Sequence, residues 1–182
     1  MVSNSQNNVN RRKTSTVSLR IDKEYDKILR EEAEEKRITL NTLVNQIFGE
    51  YIEWHKIIRQ FGTIILSKDA FKLFLDSLEN DKIINIAIEI ATKAPKEFIL
   101  FKWKEINSSN VIDFIKMFFD HCGYGQYDYQ FTESKINKFS IRHDLDKKGS
   151  LFLKAYVETV VKDTLGITCQ SIITDNSVTM IF

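Results

Sequence analysis

Polar and apolar residues alternate from Thr16 to Ile21. Val17, Leu19 and Ile21 fall on one face and Thr16, Ser18 and Arg20 on the other, the period of two that predicts a short half-buried strand. The period then changes. Tyr25, Ile28, Leu29 and Ala33 recur at helical spacing, with Lys27, Arg30, Glu31, Glu34 and Glu35 on the opposite side, which predicts an amphipathic helix. Asp22 is placed to cap its N-terminus, and Glu24 and Asp26 put negative charge in the first turn, where the helix dipole favours it. After a break at residues 36–38, Thr39 is placed to cap a second helix with Leu40, Leu43, Val44, Ile47, Phe48 and Tyr51 on its apolar stripe. The stripe runs on through Trp54, His55 and Ile58, so this helix is expected to reach about Arg59.

One strand and two short helices leave the strand's backbone groups without partners, and an unpaired strand is not stable alone. A second copy supplies what is missing. Two strands paired antiparallel would close the faces of Val17, Leu19 and Ile21 over four helices, making these residues a dimer core. Thr16, Ser18 and Arg20 would then project from a two-stranded ribbon, a shape that fits the major groove of B-DNA and reads base edges with hydroxyl and guanidinium groups.

The remaining residues, 61–182, are enough for an independent core. Gly62-Thr63-Ile64-Ile65-Leu66 reads as a short strand or a lead-in to a helix that starts near Lys68, and Ile83 to Thr92 reads as helix. Pro95 breaks or starts an element, and Phe98 to Trp103 fits a buried helix as well as a buried strand. Val111 to Cys122 is an apolar-faced helix behind the capping residues Asn107, Ser108 and Ser109. Two alternating strands follow, around Tyr127, Tyr129 and Phe131 and around Phe139, Ile141 and His143. The order then repeats: a helix from Leu151 to Leu165, then strands over 167–173 and 178–182 about an Asp175-Asn176 turn. Phe114-Ile115-Lys116 and Phe152-Leu153-Lys154 hold similar places in the two segments. The expected class is α+β: a module of one strand and two helices, then an antiparallel sheet with helices on one face.

Composition narrows the setting. With 43% hydrophobic and 28% charged residues, the 182-residue chain is that of a folded protein. No run approaches the ~20 apolar residues of a membrane span, and the first residues lack the apolar stretch of a signal peptide, so a cytoplasmic protein with no membrane partner is expected. Two cysteines, Cys122 and Cys169, are too few for a disulfide scaffold. The net charge of +1 hides an uneven distribution: Arg11, Arg12, Lys13 and Arg20 precede the first acidic residue, Asp22. A disordered basic arm over 1–13 is therefore expected ahead of the strand.

Residues 14 to about 55 resemble the ribbon-helix-helix family of small repressors, the Arc, MetJ and CopG type. The resemblance rests on Thr16-Val17-Ser18-Leu19-Arg20-Ile21, the Asp22-Lys23-Glu24 helix start, Ala33, and Thr39-Leu40-Asn41-Thr42-Leu43 opening the second helix. It implies that Thr16, Ser18 and Arg20 contact bases. It also implies that Thr39, with the backbone amides of Leu40 and Asn41, holds a phosphate; the basic arm, Arg11, Arg12 and Lys13, would add phosphate contacts. Between the helices the family commonly has a glycine in a left-handed turn, whereas this chain has Lys36-Arg37. Read without the resemblance, Thr16, Ser18 and Arg20 are an ordinary exposed strand face and Thr39 an ordinary cap.

No phosphate-binding glycine loop, HExxH or nucleophile elbow is present, so no catalytic residue, metal site or cofactor is expected and the chain is read as a non-enzyme. His121, Cys122, His143 and Cys169 lack a metal-ligand spacing, and His143 draws notice only as the end of a strand before the Asp144-Leu145-Asp146 turn. His55, on the apolar stripe, reads as a packed or hydrogen-bonded histidine. The expectation is a dimeric, sequence-specific DNA-binding regulator over 14–60, with 61–182 sensing a small molecule or a protein effector. The alternative is an antitoxin-like protein whose C-terminal domain binds a partner protein.

Overall fold

Asp22 accepts a hydrogen bond from the N–H of Glu24 at 2.8 Å, and helix α1 (Lys23–Glu35) starts there. In the computed structural model, which describes residues 14–132 and 136–182, α1 ends in a Schellman turn. The Ile38 N–H reaches the Ala33 carbonyl at 2.9 Å and the Arg37 N–H reaches that of Glu34 at 3.0 Å. Arg37 takes the left-handed position itself, at φ 54°. The turn is therefore made without glycine, at the steric cost that a Cβ brings to this region. Thr39 then caps helix α2 (Leu40–Glu50) by accepting from the Thr42 N–H at 3.1 Å.

The strand expected over Thr16–Ile21 is not formed: residues 14–22 adopt no regular secondary structure and are exposed throughout. A strand exists through ladder bonds to a neighbour, and within the described single chain this segment pairs with none. The basic arm, with Arg11, Arg12 and Lys13, lies outside the described residues.

The chain divides into two units, one ending at Glu53 and the other running from Trp54 to Phe182. Beyond α2 the helical backbone passes through a π-helical turn, Tyr51–His55, the short helix α3 (Lys56–Ile58) and a 3-10 turn, Arg59–Phe61. Gly62 ends it at φ 66°. Trp54 belongs to the second unit's buried core, and Ile57, Ile58 and Phe61 pack against that core. The apolar stripe that sequence assigns to one long helix thus serves two cores in succession. Residues 63–67 do not form a strand; they are exposed and lead into the next helix. Ser67 instead caps α4 (Lys68–Asp76).

Helix α5 (Asn80–Trp103) contains Pro95 in its interior. Proline's φ suits a helix, and what is lost is one backbone bond and some room beside the preceding turn, about 3 kcal/mol. Ile83, Ala87, Ala91, Phe98 and Ile99 are buried on both sides of it, and that burial outweighs the break. The run Phe98 to Trp103 is therefore the end of a buried helix. Asn107 caps α6 (Ser108–Cys122) through the Asn110 N–H at 3.0 Å. Strands β1 (Gln126–Phe131) and β2 (Asn137–Arg142), helix α7 (Asp146–Leu165), and strands β3 (Gln170–Ile173) and β4 (Ser177–Ile181) complete the unit.

The sheet is antiparallel throughout, in the order β1-β2-β4-β3. Phe139 stands opposite Met180 and Ile141 opposite Val178 at its centre, all four fully buried. The residues between them are partly exposed, so one face carries the core. The two helix-strand-strand segments read from sequence are thus arranged second strand against second strand. Phe114, Ile115, Phe152 and Leu153, in corresponding places on α6 and α7, are all buried.

Candidate functional site

Among the described residues of the N-terminal unit only Ala33 and Leu43 are buried. Val17, Leu19 and Ile21 are 70%, 56% and 46% exposed, and Tyr25, Ile28, Ile47, Phe48, Tyr51 and Ile52 also lie open. That is much exposed apolar surface for so small a unit. Thr16, Ser18 and Arg20 lie in the same exposed segment, interleaved with the three apolar residues.

Thr39 is exposed at the start of α2, its hydroxyl bonded to the Thr42 N–H and lying 2.8 Å from the Thr42 hydroxyl. Helix geometry leaves the first-turn N–H groups, those of Leu40 and Asn41 among them, without intrahelical acceptors. An anion placed there would meet N–H groups and the positive end of the helix dipole. Asn41 also holds Asn45, whose amide donates to the Asn41 carbonyl at 2.8 Å.

In the second unit, His143 is buried and fully engaged. Its Nδ1 accepts the Leu145 N–H at 3.2 Å, so Nε2 carries the proton and donates to the Ser150 hydroxyl at 2.9 Å. Ser150 in turn donates to the Thr174 carbonyl at 2.6 Å. Burial holds the His143 pKa below the usual 6.5, against an opposing pull from Asp144 and Asp146. The residue joins the end of β2, the start of α7 and the β3–β4 turn, and it borders a shallow polar depression with Lys68, Arg142 and Asp144. Lys68 and Asp144 neutralise one another there at 3.1 Å.

The other residues weighed as ligands are dispersed. The His121 ring stacks on Trp54 at 4.6 Å, His55 is exposed, and both cysteines are free thiols. Burial, with the Glu158 carboxylate adding to it, pushes the Cys169 thiol up to about 12. Among the described residues no three His, Cys, Asp or Glu side chains gather as a metal site would require. No described helix is long and apolar enough to cross a membrane.

A feature that the sequence did not single out is an apolar cleft between α4, α5, α6 and α7, of about 290 Å³. Phe118, Phe152 and Tyr156 fall in helices that periodicity marks, and nothing in that periodicity distinguishes a filled core from an open one. Phe118 lies between the rings of Tyr124 and Tyr156, at centroid distances of 5.0 and 4.6 Å. Phe71 meets Tyr124 and Phe152 edge-on at 5.2 and 5.3 Å.

No family model matches the chain, and no match is found among curated proteins or solved structures.

Proposed function

We propose that the protein is a DNA-binding transcriptional regulator that acts as a dimer through a ribbon-helix-helix module in its N-terminal unit. The observation that carries this reading is the exposure of Val17, Leu19 and Ile21 in a segment without a partner, directly ahead of two capped helices. A second copy pairing this segment antiparallel would bury all three side chains on each chain. From their present exposure, that burial stabilises the pair by roughly 5–10 kcal/mol before the entropy of association. The pairing would turn Thr16, Ser18 and Arg20 outward as the reading face. Thr39 and the first-turn amides of α2 would hold a backbone phosphate, and Arg11, Arg12 and Lys13 would add sequence-independent attraction. The left-handed Arg37 supports the reading as well, because it supplies the turn that the family usually makes with glycine.

Sedimentation of the full chain, with anisotropy titrations against its own upstream DNA at two salt concentrations, tests the proposal. A dimer that Leu19→Asp dissociates is expected. Arg20→Ala should cost about 1–3 kcal/mol on the preferred sequence and little elsewhere, whereas Lys13→Ala should lower the salt slope by about one. A monomeric wild-type chain, or an Arg20→Ala loss equal on all sequences, contradicts it.

A further inference from the structure

The apolar cleft of the second unit has a wall that a folded core does not normally leave. Tyr156 is 4% exposed, yet its hydroxyl makes no hydrogen bond to any described residue. Every fully buried polar side-chain atom of the described residues does have a partner. The Tyr156 hydroxyl is therefore not completely sealed, and Tyr156 is one of the residues that line the cleft. A phenol buried among apolar groups without a partner is costly, about 1–3 kcal/mol, unless water or a ligand meets it. Burial also raises its pKa well above the ordinary phenol value, so it is a neutral O–H donor across the physiological range.

The rest of the lining fixes the character of what fits. None of the lining residues is charged. Two cations on the lining helices α4 and α7 are committed: Lys72 is paired with Asp146, and the Lys148 ammonium donates to the carbonyls of Asp76 and Leu78 at 2.9 and 2.6 Å. An anionic ligand would find no counter-charge and a cationic one no carboxylate. The ring faces of Phe118 are both covered by Tyr124 and Tyr156, so they are not available to cage a cation. Phe74, 61% exposed, stands at the rim, so the cleft is open to entry from solvent.

We propose that this cleft is a binding site for a neutral, chiefly apolar small molecule that carries one hydrogen-bond-accepting oxygen, received by the Tyr156 hydroxyl. Its volume is at the lower end of known small-molecule pockets, which suits a two-ring aromatic or a medium-length acyl group. The site lies wholly within the second unit, so the inference stands apart from DNA binding by the first.

The test uses the full chain and prodan, a neutral naphthalene ketone whose emission moves to the blue in apolar surroundings. Saturable binding of one probe per chain is expected. Tyr156→Phe, which keeps the ring and removes the donor, should weaken prodan about three- to tenfold. It should leave unchanged the affinity of 2-dimethylaminonaphthalene, which has no carbonyl. Ile86→Trp, which fills the cleft from α5, should abolish binding of both. Should Ile86→Trp fail to fold, the isosteric Tyr156→Phe decides alone. A fluorescence rise that never saturates, or a Tyr156→Phe affinity for prodan equal to wild type, overturns the proposal. So does an affinity that falls as protein concentration rises, since a second copy would then be the occupant.

Discussion

Replacing Ser150 with alanine removes one oxygen and strands two groups. The hydroxyl, fully buried, accepts from His143 Nε2 at 2.9 Å and donates to the Thr174 carbonyl at 2.6 Å. The buried His143 N–H left without its acceptor costs about 1–3 kcal/mol, and the carbonyl of the exposed Thr174 adds less, so the variant should lose about 1–4 kcal/mol. Urea unfolding followed by tryptophan emission reads this directly, because Trp54 and Trp103 both belong to the second unit. With a slope near 2 kcal/mol per molar, the midpoint should fall by about 0.5–2 M. Adding His143→Phe to Ser150→Ala should cost less than the two single variants together, since the phenyl ring needs no acceptor from residue 150 although it leaves the Leu145 N–H without a partner. A loss below about 1 kcal/mol for Ser150→Ala, or a double variant worse than the sum of the singles, refutes the claim that this triad latches β2, α7 and the β3–β4 turn together.

The same histidine sets a pH dependence. Its folded pKa lies below 6.5, so the unfolded chain takes up the proton first as pH falls; the stability it confers is complete above 6.5 and is lost on descending through the lowered folded value. Urea midpoints measured from pH 7.5 down to 5 should decline below about 6.5, and His143→Gln should flatten that decline. Arg37→Gly should relieve the left-handed turn at φ 54° and stabilise the α1–α2 junction by about 0.5–1 kcal/mol. Hydrogen exchange at the Ile38 amide, slowed about two- to fivefold, is the readout. Gly149→Ala should do the opposite of what alanine does in an open helix: its Cβ would overlap the Leu145 Cβ, and a loss of at least about 1–3 kcal/mol in thermal unfolding is expected.

Local chemistry made much of the fold legible. Asp22, Thr39 and Asn107 each cap the helix that their position announces, because an N-cap needs only its own turn. The alternation about Phe139 and Ile141 likewise marked β2, since a strand with one buried face writes its period into the sequence. Tertiary packing decided the rest. Pro95 reads locally as the break or the start of an element, and the burial of Ala91, Phe98 and Ile99 around it keeps α5 whole. Ile64 and Ile65 lie in a run that periodicity fits to a short strand as well as to a helix lead-in, and they are almost fully exposed ahead of α4. The segment Thr16–Ile21 is the sharpest case: its alternation is plain, but a strand needs a neighbour, and pairing is not a property of one chain's periodicity. Tyr156 was hidden for another reason, because a missing partner for a hydroxyl is visible only in three dimensions.

The order of the strands also governs how the second unit comes together. β1 and β2 close a short loop, as do β3 and β4, and such hairpins form in microseconds at small entropic expense. The sheet becomes one only when β2 meets β4, and the whole of α7 lies between them in sequence. Phe139 cannot find Met180 until that helix has been folded back across the strands. Joining the centre is thus the long-range step, the one on which the rate of folding depends. Trimming Ile141 or Val178 should slow refolding itself, while trimming Ile172 on the edge strand should chiefly hasten unfolding.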